Sequence, residues 1–149
     1  MNTDPAVALI KVFEGLRPKP YLCPAGIPTI GYGSTHYPDG RKVQLSDKPI
    51  TYVEAHVLLM HEVNNVCVPQ VLKYCPNVSE NVLNALVDFV YNLGSGSLKI
   101  STLRKRINSG DMVGAKSELL KWNKARVNGS MQALKGLTLR RQAECLLLN

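Results

Sequence analysis

Three features of this 149-residue chain predict an α+β fold: mostly helical, with a small β-hairpin lobe and a larger helical lobe joined by a long helix across a cleft. From Tyr21 to about Ile50 the chain is dense in glycine, proline and β-formers, whereas apolar residues at helical spacing recur before and after that stretch. The run Thr51-Tyr52-Val53-Glu54 has the form of a capping box and starts the helical region. The third feature is length, which suits one domain with a sizeable core. We therefore divide a single domain into a β-rich lobe over about 15–50, a linking helix over 51–75 and a helical lobe over 76–149.

The first helix is capped by Thr3 or Asp4, carries Pro5 in its first turn, and shows an apolar face of Val7, Ala8, Ile10, Val12 and Phe13 before Gly15 stops it. Glu14 thus falls at a helix C-terminus. The negative end of the helix dipole, together with partial burial against Ile10 and Phe13, favours the acid form of a carboxyl there. Hairpin and loops follow, and Tyr37-Pro38-Asp39-Gly40 is a turn in which Pro38 fixes φ and Gly40 permits the reversal. The linking helix runs through Val57, Leu58, Leu59 and Val63. Ser79 or Asn77 opens a helix that ends near Gly94, with Val82, Leu83, Leu86, Val87, Phe89 and Val90 as a broad apolar face suited to the core of the larger lobe. Ser101 and Asp111 cap two further helices, Gly110 separates them, and Thr138 caps a last helix reaching Leu148. Trp122 and Tyr91 are expected in the core.

A carboxylate that ends an apolar helix and faces a glycine-rich, β-prone segment suits glycosidic bond cleavage. That chemistry needs a protonated carboxyl to donate to the leaving oxygen and a polar group across the sugar to hold a water. Glu14 and Thr29 are placed to be that pair. Thr29, Gly31 and Tyr32 are expected to line the cleft, where glycine lets a polysaccharide approach the backbone closely.

The run Glu14-Gly15-Leu16-Arg17 followed by Ala25-Gly26-Ile27-Pro28-Thr29-Ile30-Gly31-Tyr32-Gly33 resembles the phage-type lysozymes or endolysins, the muramidases of glycoside hydrolase family 24. The resemblance continues in order through Ala85 to Gly94, Ser101-Thr102-Leu103, Asn108-Ser109-Gly110-Asp111, Trp122 and Gly136 to Arg141. It implies a lysozyme-like fold and hydrolysis of the β-1,4 bond between N-acetylmuramic acid and N-acetylglucosamine in bacterial peptidoglycan, with no cofactor. It also implies Glu14 as general acid, with Cys23 and Thr29 orienting the attacking water in an inverting reaction. Cys23 stands where most members carry aspartate. Direct attack by a Cys23 thiolate ranks second, because a free thiol is mostly protonated at neutral pH. A further alternative is a wall-binding protein whose catalysis is impaired by loss of that aspartate. Ser34 stands where many relatives place histidine; His36, two residues on, reads as a loop histidine and is given no catalytic role. Arg140 and Arg141 match a paired arginine of the family and are expected to anchor the last helix on the acid-bearing one, with one of them contacting Glu14.

The net charge of +7 is concentrated late in the chain: residues 1–75 hold 7 Lys+Arg against 6 Asp+Glu, and residues 76–149 hold 11 against 5. A basic half draws a protein to an anionic cell wall. The run Leu103-Arg104-Lys105-Arg106 is too short, and too poor in aromatics, for a nucleic-acid element. We expect a monomer that acts on peptidoglycan and does not bind nucleic acid. No stretch approaches the roughly 18–20 apolar residues of a membrane span, and no secretory pattern opens the sequence. By that reading the chain stays in the host cytoplasm until a separate membrane-permeabilising protein releases it to the wall. His56 and His61 do not converge on a helix, so no metal site is expected. Cys67 and Cys75 bracket a helix end and a proline-containing loop, compatible with a disulfide or with free thiols. A disulfide at Cys23 would block the site and make activity depend on reductant, but no cysteine lies close to it in sequence.

Overall fold

Residues 1–148 are described by a computed structural model that opens with helix α1, Asp4–Glu14. Thr3 occupies its N-cap position but does not cap it: the hydroxyl donates to Asn64 Oδ1 at 3.1 Å instead. Asn84, far along the chain, takes over the role. Its Oδ1 accepts the Ala6 N–H at 2.9 Å, one of the orphan donors of the first turn, while its Nδ2 donates to the carbonyls of Asn2 and Glu80. The buried face of α1 is Ala6, Val7 and Ile10; Val12, expected in that face, is 76% exposed because the helix packs on one side only.

Strands β1 (Arg17–Leu22) and β2 (Pro28–Gly31) form an antiparallel hairpin pairing Arg17 with Gly31, Tyr21 with Thr29 and Leu22 with Pro28. The first strand starts at Arg17, inside the lobe expected over about 15–50 and four residues ahead of its glycine- and proline-dense part. Its register is irregular between Arg17 and Tyr21, where Pro18 and Pro20 have no N–H to give a ladder. The turn at Tyr37–Gly40 is present, closed by Gly40 N–H to the Tyr37 carbonyl at 2.9 Å with Gly40 at φ +90°. Ile30, Val43 and Leu58 form a small core under this region, flanked by Tyr37 and Ile50.

Helix α2, Tyr52–Glu62, begins with a complete capping box between Thr51 and Glu54. It runs through a π-helical turn, Val63–Cys67, into α3, Val68–Tyr74. The linking segment is therefore not one uniform helix. Pro69 has no N–H to give, and the Val68 N–H just before it reaches five residues back to the Val63 carbonyl.

Helix α4, Glu80–Leu93, is capped by Ser79 and stopped by Gly94 as the sequence predicts, and every residue from Val82 to Val90 is buried, including Asn84 and Asp88. It is the central helix of the larger lobe, packed by α1, α3 and two later helices, the next one and the last. Three short helices follow it: α5 (Ser95–Ile100), which the sequence pattern did not separate, α6 (Thr102–Asn108) capped by Ser101, and α7 (Met112–Leu120) capped by Asp111. A second hairpin then appears where only helix was expected: β3 (Lys124–Val127) pairs with β4 (Ser130–Ala133) across Asn128-Gly129. Both turn residues have positive φ, +49° and +85°. Helix α8, Lys135–Leu147, starts three residues before Thr138, so Thr138 is not its cap; its hydroxyl donates to the Leu134 carbonyl at 3.1 Å. Trp122 meets Phe89 edge-to-face at 5.6 Å, in the packing role expected of it.

The Asn84→Ala variant should lose about 1–3 kcal/mol of stability, since it orphans the buried Ala6 N–H and removes the part-buried bonds to the carbonyls of Asn2 and Glu80. Chemical denaturation measures this, and a change below about 0.5 kcal/mol would show that the cross-helix cap does little.

Candidate active site

Gly15, at φ +72°, ends α1 and turns the chain into β1, leaving the Glu14 side chain 27% exposed between helices and hairpin. Glu14 Oε1 lies 2.7 Å from Arg140 Nη1. The opposite edge of the same guanidinium, Nε and Nη2, donates to Asp88 Oδ2 and Oδ1, both at 2.9 Å. Arg140 of α8 thus joins the end of α1 to the middle of α4 and stacks over Phe13 on the way, 5.4 Å from its centroid. Burial opposes the charge on Arg140, but the bonds to Asp88 and Glu14 outweigh it and hold the guanidinium above its ordinary range. The expectation that one of the paired arginines meets Glu14 is met by Arg140; Arg141 is buried one residue on, ion-paired with Glu144 at 2.7 Å.

Glu14 Oε2 has no hydrogen-bond partner among the described residues. It faces Gly33: a Cβ at that position would stand 3.6 Å from Oε2 and 3.4 Å from Tyr91 Oη, and φ there is +96°, so position 33 suits glycine twice over. Tyr91 Oη donates to the Tyr32 carbonyl at 2.5 Å, fixing this loop to α4. Burial first, and the charge of Glu14 second, push the Tyr91 phenol well up, so it stays a neutral donor.

On the hairpin, Cys23 is half exposed in the turn between β1 and β2, where Gly26 N–H bonds to its carbonyl at 2.8 Å. Hydrogen bonding at the Ile27 backbone, with Ala25 and the Thr29 hydroxyl adding to it, lowers the Cys23 thiol below its ordinary value. Cys23 and Thr29 are therefore brought together. Thr29 is buried, and its hydroxyl donates to the Ile27 carbonyl at 2.8 Å. Since a hydroxyl carries a single proton, Thr29 donates to Cys23 only by releasing that carbonyl. Tyr21 stands near both Glu14 and Cys23: burial raises its phenol, the Arg17 guanidinium stacked 3.9 Å from its centroid lowers it, and the two acids raise it.

Gly31 and Tyr32 lie behind this surface. Tyr32 is 4% exposed with its ring in the core, and Gly31 backs onto Ala55 and Ile50, each 3.5 Å from where its Cβ would be. Ser34 is buried and His36 exposed, its Nδ1 2.9 Å from Thr35 Oγ1. All four cysteines are free, and burial pushes the Cys67 and Cys75 thiols up to about 12 and about 11. Among the described residues no cluster of His, Cys, Asp or Glu is arranged to hold a metal, and no helix is long and apolar enough to cross a membrane.

Asp88, Glu144, Gly33 and the Tyr91 hydroxyl escaped the sequence reading. Asp88 had a signal: a carboxylate inside Leu86-Val87-Asp88-Phe89-Val90 is buried if the helix is, and a buried carboxylate needs a cation. The paired arginines were the cations at hand.

A glutamate at a helix end, held by a buried arginine and facing a two-stranded hairpin from a mostly helical lobe, defines a lysozyme-type glycoside hydrolase. The chain belongs to the phage lysozyme family, whose model matches residues 11–144. It is 38% identical over 142 residues to an endolysin of Acyrthosiphon pisum secondary endosymbiont phage 1, covering 95% of this chain and 93% of that one. It is 37% identical to a SAR-endolysin of Bacteriophage PS119, covering 88% and 73%. Among solved structures, an endolysin from Escherichia coli O157:H7 phage FAHEc1 superposes with a TM-score of 0.87 at 36% identity, covering 99% of this chain and 93% of that one. The muramidase domain of SpmX from Asticaccaulis excentricus gives 0.82 at 31% identity, covering 96% and 93%. The protein is a muramidase-type hydrolase of the bacterial cell wall.

Two outcomes follow from this geometry. Arg140→Met leaves Asp88 buried without its cation and should cost about 3–5 kcal/mol, whereas the Asp88→Asn, Arg140→Met double variant should recover at least half of that. A double variant as unstable as the single one would deny the pairing. Alkylation by iodoacetamide should modify Cys23 well before Cys67 and Cys75. Because hydrogen bonding favours the Cys23 thiolate, its rate should hold up to a lower pH than that of a free model thiol; a titration midpoint at or above the model thiol's would contradict the lowered value.

Proposed function

We propose that this chain cleaves the β-1,4 bond between N-acetylmuramic acid and N-acetylglucosamine in peptidoglycan, with Glu14 as general acid and Cys23 and Thr29 orienting the water. The observation that carries the proposal is the asymmetry of Glu14: Oε1 is taken by Arg140 and Oε2 is open. A guanidinium is only a donor, so a proton on this carboxyl belongs on Oε2, the oxygen free to meet a leaving group. Across from it, Cys23 supplies a polar, half-exposed group and Thr29 a hydroxyl in contact with it. Gly31 and Tyr32 serve as the backing of the rim, Tyr32 by its main chain.

The names of the relatives, endolysins and a muramidase domain, support the same substrate. The protein acts as a monomer without a cofactor and without nucleic acid, its β-rich lobe over 15–50 and helical lobe over 76–149 forming the two walls of the cleft. The basic second half favours approach to an anionic wall. It accumulates in the host cytoplasm until a separate membrane-permeabilising protein admits it to the wall. The absence of the usual aspartate at position 23 is the one observation favouring a second reading, a wall-binding protein of impaired catalysis.

Release of reducing ends from purified Gram-negative peptidoglycan, in reductant, separates these readings. Glu14→Gln should lose activity by about 10²–10⁴-fold at unchanged folding, Cys23→Ala should be impaired, and Cys23→Asp should remain active. The product should be of inverted configuration; retention would assign Cys23 as the nucleophile. Activity undiminished in Glu14→Gln would remove Glu14 as the acid, and wild-type protein that binds the wall without cutting it would establish the second reading.

A further inference from the structure

The reaction as described makes no use of strand β1 ahead of Cys23. Beside that strand lies a hollow of about 350 Å³, within the size of ligand clefts, walled by Leu16, Pro18 and Pro49 and given its polar groups by Arg17, Lys19 and Tyr21. Its backbone is stiff. Pro18 and Pro20 fix φ along the strand, and the Ile50 N–H bonds to the Pro18 carbonyl at 3.0 Å, which pins the segment carrying Pro49 against β1. The hollow adjoins the cleft at Tyr21: this residue is the direct partner of Thr29 across the hairpin, and directly opposed side chains lie on one face of a sheet.

Arg17 is the group that gives the hollow its chemistry. Its Cα partner is Gly31, which has no side chain to meet it, and its guanidinium stacks on the Tyr21 ring, 3.9 Å from the centroid. Stacking engages the face of a guanidinium and leaves its N–H edges free. Arg17 and Lys19 are both exposed, and among the described residues neither has an ion pair nor donates a side-chain hydrogen bond. No carboxylate lines the hollow. A guanidinium and an ammonium only donate, so two of them in one rigid hollow, unopposed by any acid, select a ligand that accepts and carries negative charge. These two cations also stand apart from the basic second half of the chain, since residues 1–75 are nearly neutral as a whole.

We propose that the Arg17–Tyr21 stack, with Lys19, forms a carboxylate-binding subsite for the peptidoglycan strand cut beside it. This rests on the peptidoglycan reading above. Peptidoglycan presents carboxylates in two places: on the lactyl ether of a muramic acid that has lost its peptide, and on the stem peptide. A polymer of N-acetylglucosamine alone has neither, so the subsite distinguishes the wall from a neutral amino-sugar chain.

Arg17→Met removes the charge and keeps an unbranched side chain at an exposed position, so the melting temperature should not change. KM on purified peptidoglycan at low salt should rise about five- to tenfold, with kcat within about twofold of wild type. Lys19→Met should move KM in the same direction, and it gives the reading where Arg17→Met lowers the melting temperature. Conversion of the wall's carboxyls to methylamides should raise the wild-type KM to that of the variant and erase the difference between them. Glycan strands stripped of stem peptides by an amidase identify the source: a loss retained on them assigns the lactyl carboxylate, and a loss confined to stem-bearing wall assigns the peptide. Wild-type KM in both variants, or a loss of the same size on methylamidated wall, would overturn the proposal. Sedimentation with purified sacculi in a Glu14→Gln background reads the same difference without catalysis. A wild-type protein that releases no reducing ends, the failure of the muramidase reading, is thereby distinguishable from a failure of the subsite.

Discussion

The Arg140 guanidinium is the contact on which the site and the larger lobe both depend. A planar fork that presents Nε and Nη2 to the two oxygens of Asp88 has its plane fixed by that pairing, and Nη1 is then left pointing at Glu14. Where Glu14 Oε1 sits is thus dictated by how α8 meets α4. A lysine at position 140, with one ammonium and no fork, would satisfy the charge without fixing that direction. Since the pair is buried, it specifies geometry more than it adds stability, because the desolvation of three charges consumes most of what their attraction returns.

Helix α4 is the reference for both ends of α1. Asn84 and Asp88 are four residues apart and so share a face of α4, where both are fully buried. Asn84 takes the Ala6 N–H near the start of α1, and Asp88, through Arg140, holds Glu14 at its end. An amphipathic helix seated only by Ala6, Val7 and Ile10 is free to slide along an apolar surface; two polar contacts at fixed spacing remove that freedom. Glu14 is thereby tied to the most deeply buried helix of the larger lobe rather than to the hairpin it faces.

What the sequence made legible was whatever rests on local chemistry. Gly15 after Glu14, the Thr51–Glu54 box, Ser79, Ser101 and Asp111 are caps and stops whose partners lie within a turn, and each is where the pattern put it. The apolar face of α4 was equally clear. What failed was non-local or overridden. Thr3 was outbid for its own helix by a residue 81 positions later in the chain, and Thr138 lies inside α8 rather than before it because the chain leaves β4 directly into that helix. The second hairpin was legible and missed: Asn128-Gly129 is a strong two-residue turn signal, but the flanking strands are largely exposed and lack the apolar alternation that draws attention to a strand. Motif spacing singled out Glu14, Cys23 and Thr29, and the fold places them on the helix end and the hairpin. The network behind them was not, since an ion pair linking residues 14, 88 and 140 has no sequence period.

Cys23 gives that network its weight. Where a carboxylate stands opposite a catalytic acid, each disfavours ionisation of the other, and the acid form is helped by the site itself. A thiol in its neutral form contributes no such repulsion. It does retain polarity, and beside Thr29 it gives the hairpin a second polar group without adding a second charge. Arg140 takes Glu14 Oε1 at 2.7 Å and leaves Oε2 turned toward Gly33, so with no second carboxylate on the hairpin the orientation of the Glu14 carboxyl is set from the core side of the cleft.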